Sequence, residues 1–244
     1  MLEVISGADL RPIDKTLIHS SDWSLSQSQF FNLNGAYQPG VVGPHGQKHV
    51  IRSVSTGNNV WTGGWNSAFV QVDNTKKHRV SALINIKNQG GAVQYVEDRG
   101  YIYLGTNNQN LDPPEPMLVN LQNDYADPNP YFHVTQVNML PVDQWLLLVG
   151  YVFPVDTPNQ TVSTDAGIYN VSNGVQLHQA TSDYRFIAST HTLQHRCYHY
   201  YDRISGIEVL YNDPRIDVCD GTEPTISELL NGYGVNMRKR PIIV

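Results

Sequence analysis

Apolar and polar residues along this 244-residue chain alternate with a period of two far more often than with the 3.6-residue period of a helix. Residues 79–87 are the clearest case. Val80, Ala82, Ile84 and Ile86 fall on one face, and Arg79, Ser81, Asn85 and Lys87 on the other. Further strands are predicted at 49–54, 100–105, 165–169, 184–188, 194–201 and 207–211, the last running on into 212–217. Residues 145–153 are almost wholly apolar and stop at Pro154, the pattern of a strand covered on both faces; Trp145 reads as core. Asn173-Gly174 predicts a hairpin turn. Helical signal is confined to residues 224–232, with Thr222 as N-cap, Pro224 in the first turn and Gly232 at the C-terminal end.

Nine or ten short strands separated by Gly, Pro, Asn and Asp turns predict an all-β fold, a β-sandwich of jelly-roll type with a short C-terminal helix. Residues 1–45 lack clean alternation and read as an irregular N-terminal arm or attachment segment. Residues 46–221 then form the sandwich, and 222–244 the helix and a basic tail around Arg238, Lys239 and Arg240. Residues 112–130 carry five prolines and read as a long loop without a strand.

Composition narrows the class. Only 16% of residues are charged, against about 25% in an average soluble domain. Polarity comes instead from amides, including 21 Asn, and from 14 Tyr. The net charge of −6 offers no basic excess to neutralise phosphates, so no nucleic-acid partner is expected. No apolar run reaches the ~18 residues of a membrane helix, so no membrane insertion is expected. The N-terminus has neither a basic start nor a long apolar run, which implies synthesis in a cytoplasm without a secretory signal. Cys197 and Cys219 are too few for a disulfide framework and are expected to be free thiols. The nucleophile-elbow, zinc-protease, phosphate-loop and dinucleotide motifs are absent from the sequence, and no enzyme activity is expected.

The closing run Tyr211-Asn212-Asp213-Pro214-Arg215-Ile216-Asp217, followed by Asp220-Gly221-Thr222-Glu223-Pro224-Thr225, resembles the last strand of carbohydrate-binding-module-like jelly rolls in phage tail fibres and other virion appendages. Asn129-Pro130-Tyr131-Phe132, Asp143-Gln144-Trp145 and His195-Arg196 with Tyr198, Tyr200 and Tyr201 are similar to the same group. The resemblance covers roughly residues 75–225 and rests mostly on core and turn positions. It implies a homo-oligomeric, often trimeric, virion structural protein among other virion proteins, in contact with host surface glycan. A structural calcium at the sandwich rim is the one cofactor it raises, and Asp124, Asp127, Asp213 and Asp217 are the candidate ligands.

Aromatic rings stack on the C–H faces of sugars while amides bond the hydroxyls, so exposed Trp and Tyr are the candidate contacts. Trp61 and Trp65 lie in a polar, glycine-rich segment. Arg196, Tyr198 and Tyr200 share one face of a predicted strand, with His195, Cys197 and His199 on the other. All five candidates suit either glycan or a subunit interface. His191, His195 and His199 are spaced by four, which on a strand sets them about 13 Å apart and excludes a single-strand metal site. The leading expectation is therefore a tail-fibre or appendage subunit with glycan contact. The alternatives are a capsid decoration or tail-assembly protein with a purely architectural role, and a carbohydrate-binding module of a polysaccharide-degrading system.

Overall fold

The computed structural model describes residues 16–17, 35–37, 41–47, 50–58, 61–87, 99–107 and 118–232. The strands are β1 (Gly35–Tyr37), β2 (Ile51–Thr56), β3 (Trp61–Asn66), β4 (Val70–Gln71), β5 (His78–Lys87), β6 (Arg99–Thr106), β7 (Leu118–Asn120) and β8 (Ala126–Asp127). They continue with β9 (Tyr131–Gln136), β10 (Trp145–Phe153), β11 (Gly167–Asn170), β12 (Gln176–Gln179), β13 (Tyr184–Phe186), β14 (Thr192–Leu193), β15 (His195–Asp202) and β16 (Ser205–Val218). Helix α1 (Ile226–Leu230) follows.

Two sheets face each other. The larger has the central order β2-β16-β5-β10, and the smaller the order β3-β15-β6-β9. Pairing is nested: β2 with β16, β3 with β15, β5 with β10, β6 with β9. The nested strands β2, β3, β5 and β6 alternate between the sheets, as do β9, β10, β15 and β16, with β6 and β9 side by side at the tip, so the chain folds as a long hairpin wound around the core. That is the jelly roll expected from the strand count. The inward-facing residues of both sheets form one apolar core, including Val80, Ala82, Ile84, Ile86, Ile102, Leu104, Phe132, Leu146, Leu148, Cys197, Val209 and Tyr211. Gly150 on β10 makes room for the ring of Phe132, because a Cβ there would lie 2.1 Å from its Cγ.

The outer face of the larger sheet is covered too. Leu83, Leu147, Val149 and Tyr151 pack there under Ala166, Tyr169, Ala180, Leu229 and Leu230, which explains why 145–153 reads as continuously apolar. Trp145 itself is only partly buried, against this outer cluster rather than in the central core. Arg79 ties the helix approach to β5 by donating 2.6 Å to the Pro224 carbonyl and 2.8 Å to Asp217.

Several boundaries differ from the sequence reading. The 112–130 segment holds β7 and β8, which extend the large sheet through β13. Their two- and three-residue lengths are too short to show alternation. The predicted arm contributes β1 to the edge at β2, and the Leu17 amide and the Thr16 hydroxyl donate to the Ile216 carbonyl at 2.8 and 3.2 Å; residues 1–15 and 18–34 lie outside the described residues. The helix is capped by Thr225 and not by Thr222. Thr225 Oγ1 accepts from the Glu228 amide while Glu228 accepts from the Thr225 amide. Thr222 instead donates to Asp220 in a preceding turn. Gly232 follows the C-cap Asn231 with φ +84°. The basic tail lies outside the described residues. Both cysteines are free thiols.

Candidate functional site

The outward face of the smaller sheet carries a cluster of tyrosines, and strand register assembles it. On β15 the alternation sends His195, Cys197 and His199 inward and Arg196, Tyr198 and Tyr200 outward. Antiparallel pairing sets Tyr198 opposite Tyr103 and Tyr200 opposite Tyr101 on β6, and Arg196 opposite Gly105. Gly105 in turn pairs with Tyr131 on β9 across a bulge. A Cβ at Gly105 would meet the Tyr131 ring at 2.5 Å, so the absent side chain is what lets that ring lie beside Arg196.

The rings touch. Tyr198 and Tyr200 stack with centroids 4.9 Å apart and planes at 4°. Tyr103 meets Tyr131 edge-on at 4.8 Å and Tyr200 at 5.5 Å. Tyr201 completes the cluster in an unexpected way. By strand parity its side chain belongs on the inner face. Its backbone sits in the left-handed region at φ +61°, next to Gly100 at φ +72° on the paired strand, and its ring reaches Tyr103 at 6.3 Å and Tyr200 at 5.7 Å. A left-handed tyrosine costs about 1–2 kcal/mol relative to an extended one. Tyr201 remains 50% exposed, and neighbouring Val134 is 40% exposed.

Arg196 lies at one end of the cluster, 1% exposed. It donates from Nε to the Tyr198 hydroxyl at 3.2 Å, from Nη1 to the carbonyls of Thr106 (3.3 Å) and Asn107, and from Nη2 to Asn129 Oδ1 at 2.7 Å and to the Tyr131 hydroxyl. The guanidinium also lies over the rings of Tyr131 (4.7 Å) and Tyr198 (5.4 Å). Among the described residues it has no carboxylate partner; neutral oxygens and ring faces carry the whole compensation. Burial raises the phenol pKa of Tyr103, Tyr198 and Tyr200 well above its ordinary value, and also that of Tyr131, where Arg196 opposes it. The cluster therefore presents protonated hydroxyls at neutral pH.

Of the five aromatic and basic candidates, Arg196, Tyr198 and Tyr200 come together here. Trp65 stands opposite Cys197 and Trp61 opposite Tyr200 on adjacent β3, with a bulge between the two positions; their side chains lie outside the described residues. Asn129, Tyr131 and Tyr201 entered the sequence reading only through the resemblance and not as candidate contacts, and Tyr101 and Tyr103 only as part of a predicted strand. The Tyr101-x-Tyr103 alternation was a usable signal, whereas the placement of Tyr201 had none.

The four aspartates weighed for calcium do not converge. Asp124 is paired with Arg185. Asp127 accepts from the Asn129 amide and the Tyr184 hydroxyl. Asp217 is buried between Arg79 and Arg215, at 2.8 and 2.9 Å, where two guanidinium groups already occupy its oxygens. Asp213 lies apart from that pair on β16, at φ +45° where the ladder to β5 shifts register. Among the described residues, no group of three His, Cys, Asp or Glu side chains is arranged to hold a metal ion.

No family model and no curated protein matches the chain. Solved structures similar to it include an endo-β-1,4-glucuronan lyase from the fungus Trichoderma reesei, at 13% identity and TM-score 0.36, covering 78% of this chain and 90% of the lyase. A botulinum neurotoxin serotype G binding domain matches at 10% identity and TM-score 0.40, over 84% of this chain. Botulinum neurotoxin type C matches at 13% and 0.40, over 81%. The chain spans 47% and 45% of those two toxin chains. At these identities and TM-scores the likeness carries no assignment.

Proposed function

We propose that the chain is a glycan-binding jelly roll of a virion appendage, a tail-fibre or related structural subunit of a tailed phage. The observation that carries the glycan reading is Tyr201, a half-exposed aromatic held in a left-handed backbone beside the other five tyrosines. Strain of this kind persists where the surrounding structure over-determines it, and it concentrates at binding sites. Tyrosine faces provide stacking surface for sugar rings, and phenols and amides provide neutral hydrogen bonding. The virion setting comes from the sequence resemblance alone. In that setting a homo-oligomer, with a trimer favoured, multiplies weak single sites through effective concentration.

A second reading is architectural. Exposed Val134 adjoins the tyrosines on the same face, and an apolar edge of that kind suits a subunit contact in a capsid or tail. Binding of the purified protein to a glycan array and to host cells separates the two, with Tyr201→Ala and a Trp61→Ala/Trp65→Ala double variant as comparisons. Host-dependent signal that falls in Tyr201→Ala supports the glycan site. Absence of any signal from an oligomer verified by light scattering leaves the architectural role.

A further inference from the structure

The hydrogen bonds around Arg196 leave that end of the tyrosine cluster composed of donors. A phenol oxygen has one proton to give and lone pairs to receive with. The Tyr131 and Tyr198 oxygens both receive from the guanidinium. With its oxygen accepting from the guanidinium, Tyr131 directs its own O–H away from Arg196. Among the described residues, neither Tyr131 nor Tyr198 has an acceptor for its hydroxyl proton.

Among the described residues, the buried positive charge beside these hydroxyls has no carboxylate partner. A neutral sugar hydroxyl can accept at such a place but brings no charge to it. A carboxylate matches it fully: it is acceptor-only, and its charge is opposite to the one that the protein leaves uncompensated. We infer that the glycan recognised here is acidic, with an anionic carboxylate of the sugar seated on the Tyr131 hydroxyl next to Arg196. This rests on the glycan-binding reading above and specifies the ligand class for the same face. Sulfate esters share the chemistry and are distinguished in the test.

The test uses the full chain and matched glycan pairs that differ in charge: sialyllactose against lactose, and oligogalacturonate against its carboxyl-reduced form. Dextran sulfate is a third probe. Affinities are read by titration calorimetry at 50 and 500 mM salt. Tyr131→Phe keeps the ring and removes the donor, and a thermal melt verifies that the variant folds.

The expected result is at least tenfold tighter binding of the acidic member of one pair. That preference should weaken in high salt and fall about tenfold in Tyr131→Phe, as suits a hydrogen bond to a charged group. Dextran sulfate binding with the same Tyr131→Phe sensitivity supports the anionic site with sulfate as its source. Equal binding of acidic and neutral members, or an acidic preference untouched by Tyr131→Phe, overturns the inference and leaves glycan binding standing. Failure of these probes together with every neutral glycan of the array overturns the glycan-binding reading itself.

Discussion

Mild acid should loosen the sandwich through two histidines that bridge its sheets. His133 on β9 and His195 on β15 both point into the core and are completely buried. Each bonds a backbone carbonyl of the opposite sheet through Nε2, His133 to Val149 at 2.9 Å and His195 to Ser81 at 2.8 Å. Both rings are therefore neutral, with the proton on Nε2. A second proton on His133 would sit on Nδ1, which has no hydrogen-bond partner. Burial pushes each pKa from 6.5 down to about 4. The folded value lies below the unfolded one, so the unfolded chain takes up protons first as pH falls through 6.5. Stability is therefore lost progressively from about pH 6.5 down to about pH 4. At about 1.4 kcal/mol per pKa unit, the full loss is roughly 3 kcal/mol for each histidine, of which about 2 kcal/mol is already gone at pH 5. Two such groups at pH 5 remove about 4 kcal/mol from a domain stability that ordinarily totals about 5–15 kcal/mol. The assay is guanidinium unfolding at pH 7 and pH 5 for the native chain and for His133→Gln/His195→Gln. The Gln amide retains a donor and does not titrate. The native chain should lose about 4 kcal/mol more than the double variant over this interval. Equal losses in the two proteins would refute the reasoning.

Gly150→Ala should destabilise by about 1–3 kcal/mol in urea unfolding, because its Cβ would meet the Phe132 ring in the middle of the core. Asp217→Asn withdraws the carboxylate charge from the buried guanidinium groups of Arg79 and Arg215 and should cost about 3–5 kcal/mol in the same assay. Tyr201→Gly and Tyr201→Ala remove the same ring, but only glycine is at ease at φ +61°; the glycine variant should be the more stable by about 1 kcal/mol, and equal melting temperatures would show the backbone there to be unstrained. Thr225→Ala removes one half of the capping box and should cost about 1 kcal/mol, measured as a lowered unfolding midpoint.

The all-β class was legible because a strand that buries one face must alternate, and residues 79–87 do so except at Leu83, which packs into the covered outer face. That Arg196, Tyr198 and Tyr200 share a face was legible for the same reason, while which face turns outward was settled only by the packing of Cys197 into the core. Short strands were not. β7 and β8 are held by their neighbours in the large sheet and not by any pattern of their own. The cap at Thr225 was misplaced by three residues because both threonines stand in turn-forming surroundings, and only the reciprocal bonds with Glu228 distinguish them.

The sequence by itself determined which residues on each long strand share a face, since a period of two follows from backbone geometry alone. Only the tertiary structure decided which faces meet. Pairing of β15 with β6, and of β6 with β9, brings tyrosines from positions 101, 103, 131, 198, 200 and 201 into one cluster, and these are contacts between distant parts of the chain. It also decided that Tyr201 breaks parity and that Arg196 is buried with no carboxylate partner among the described residues. Both depend on a bulge and on a neighbouring strand, and local alternation carries no record of either.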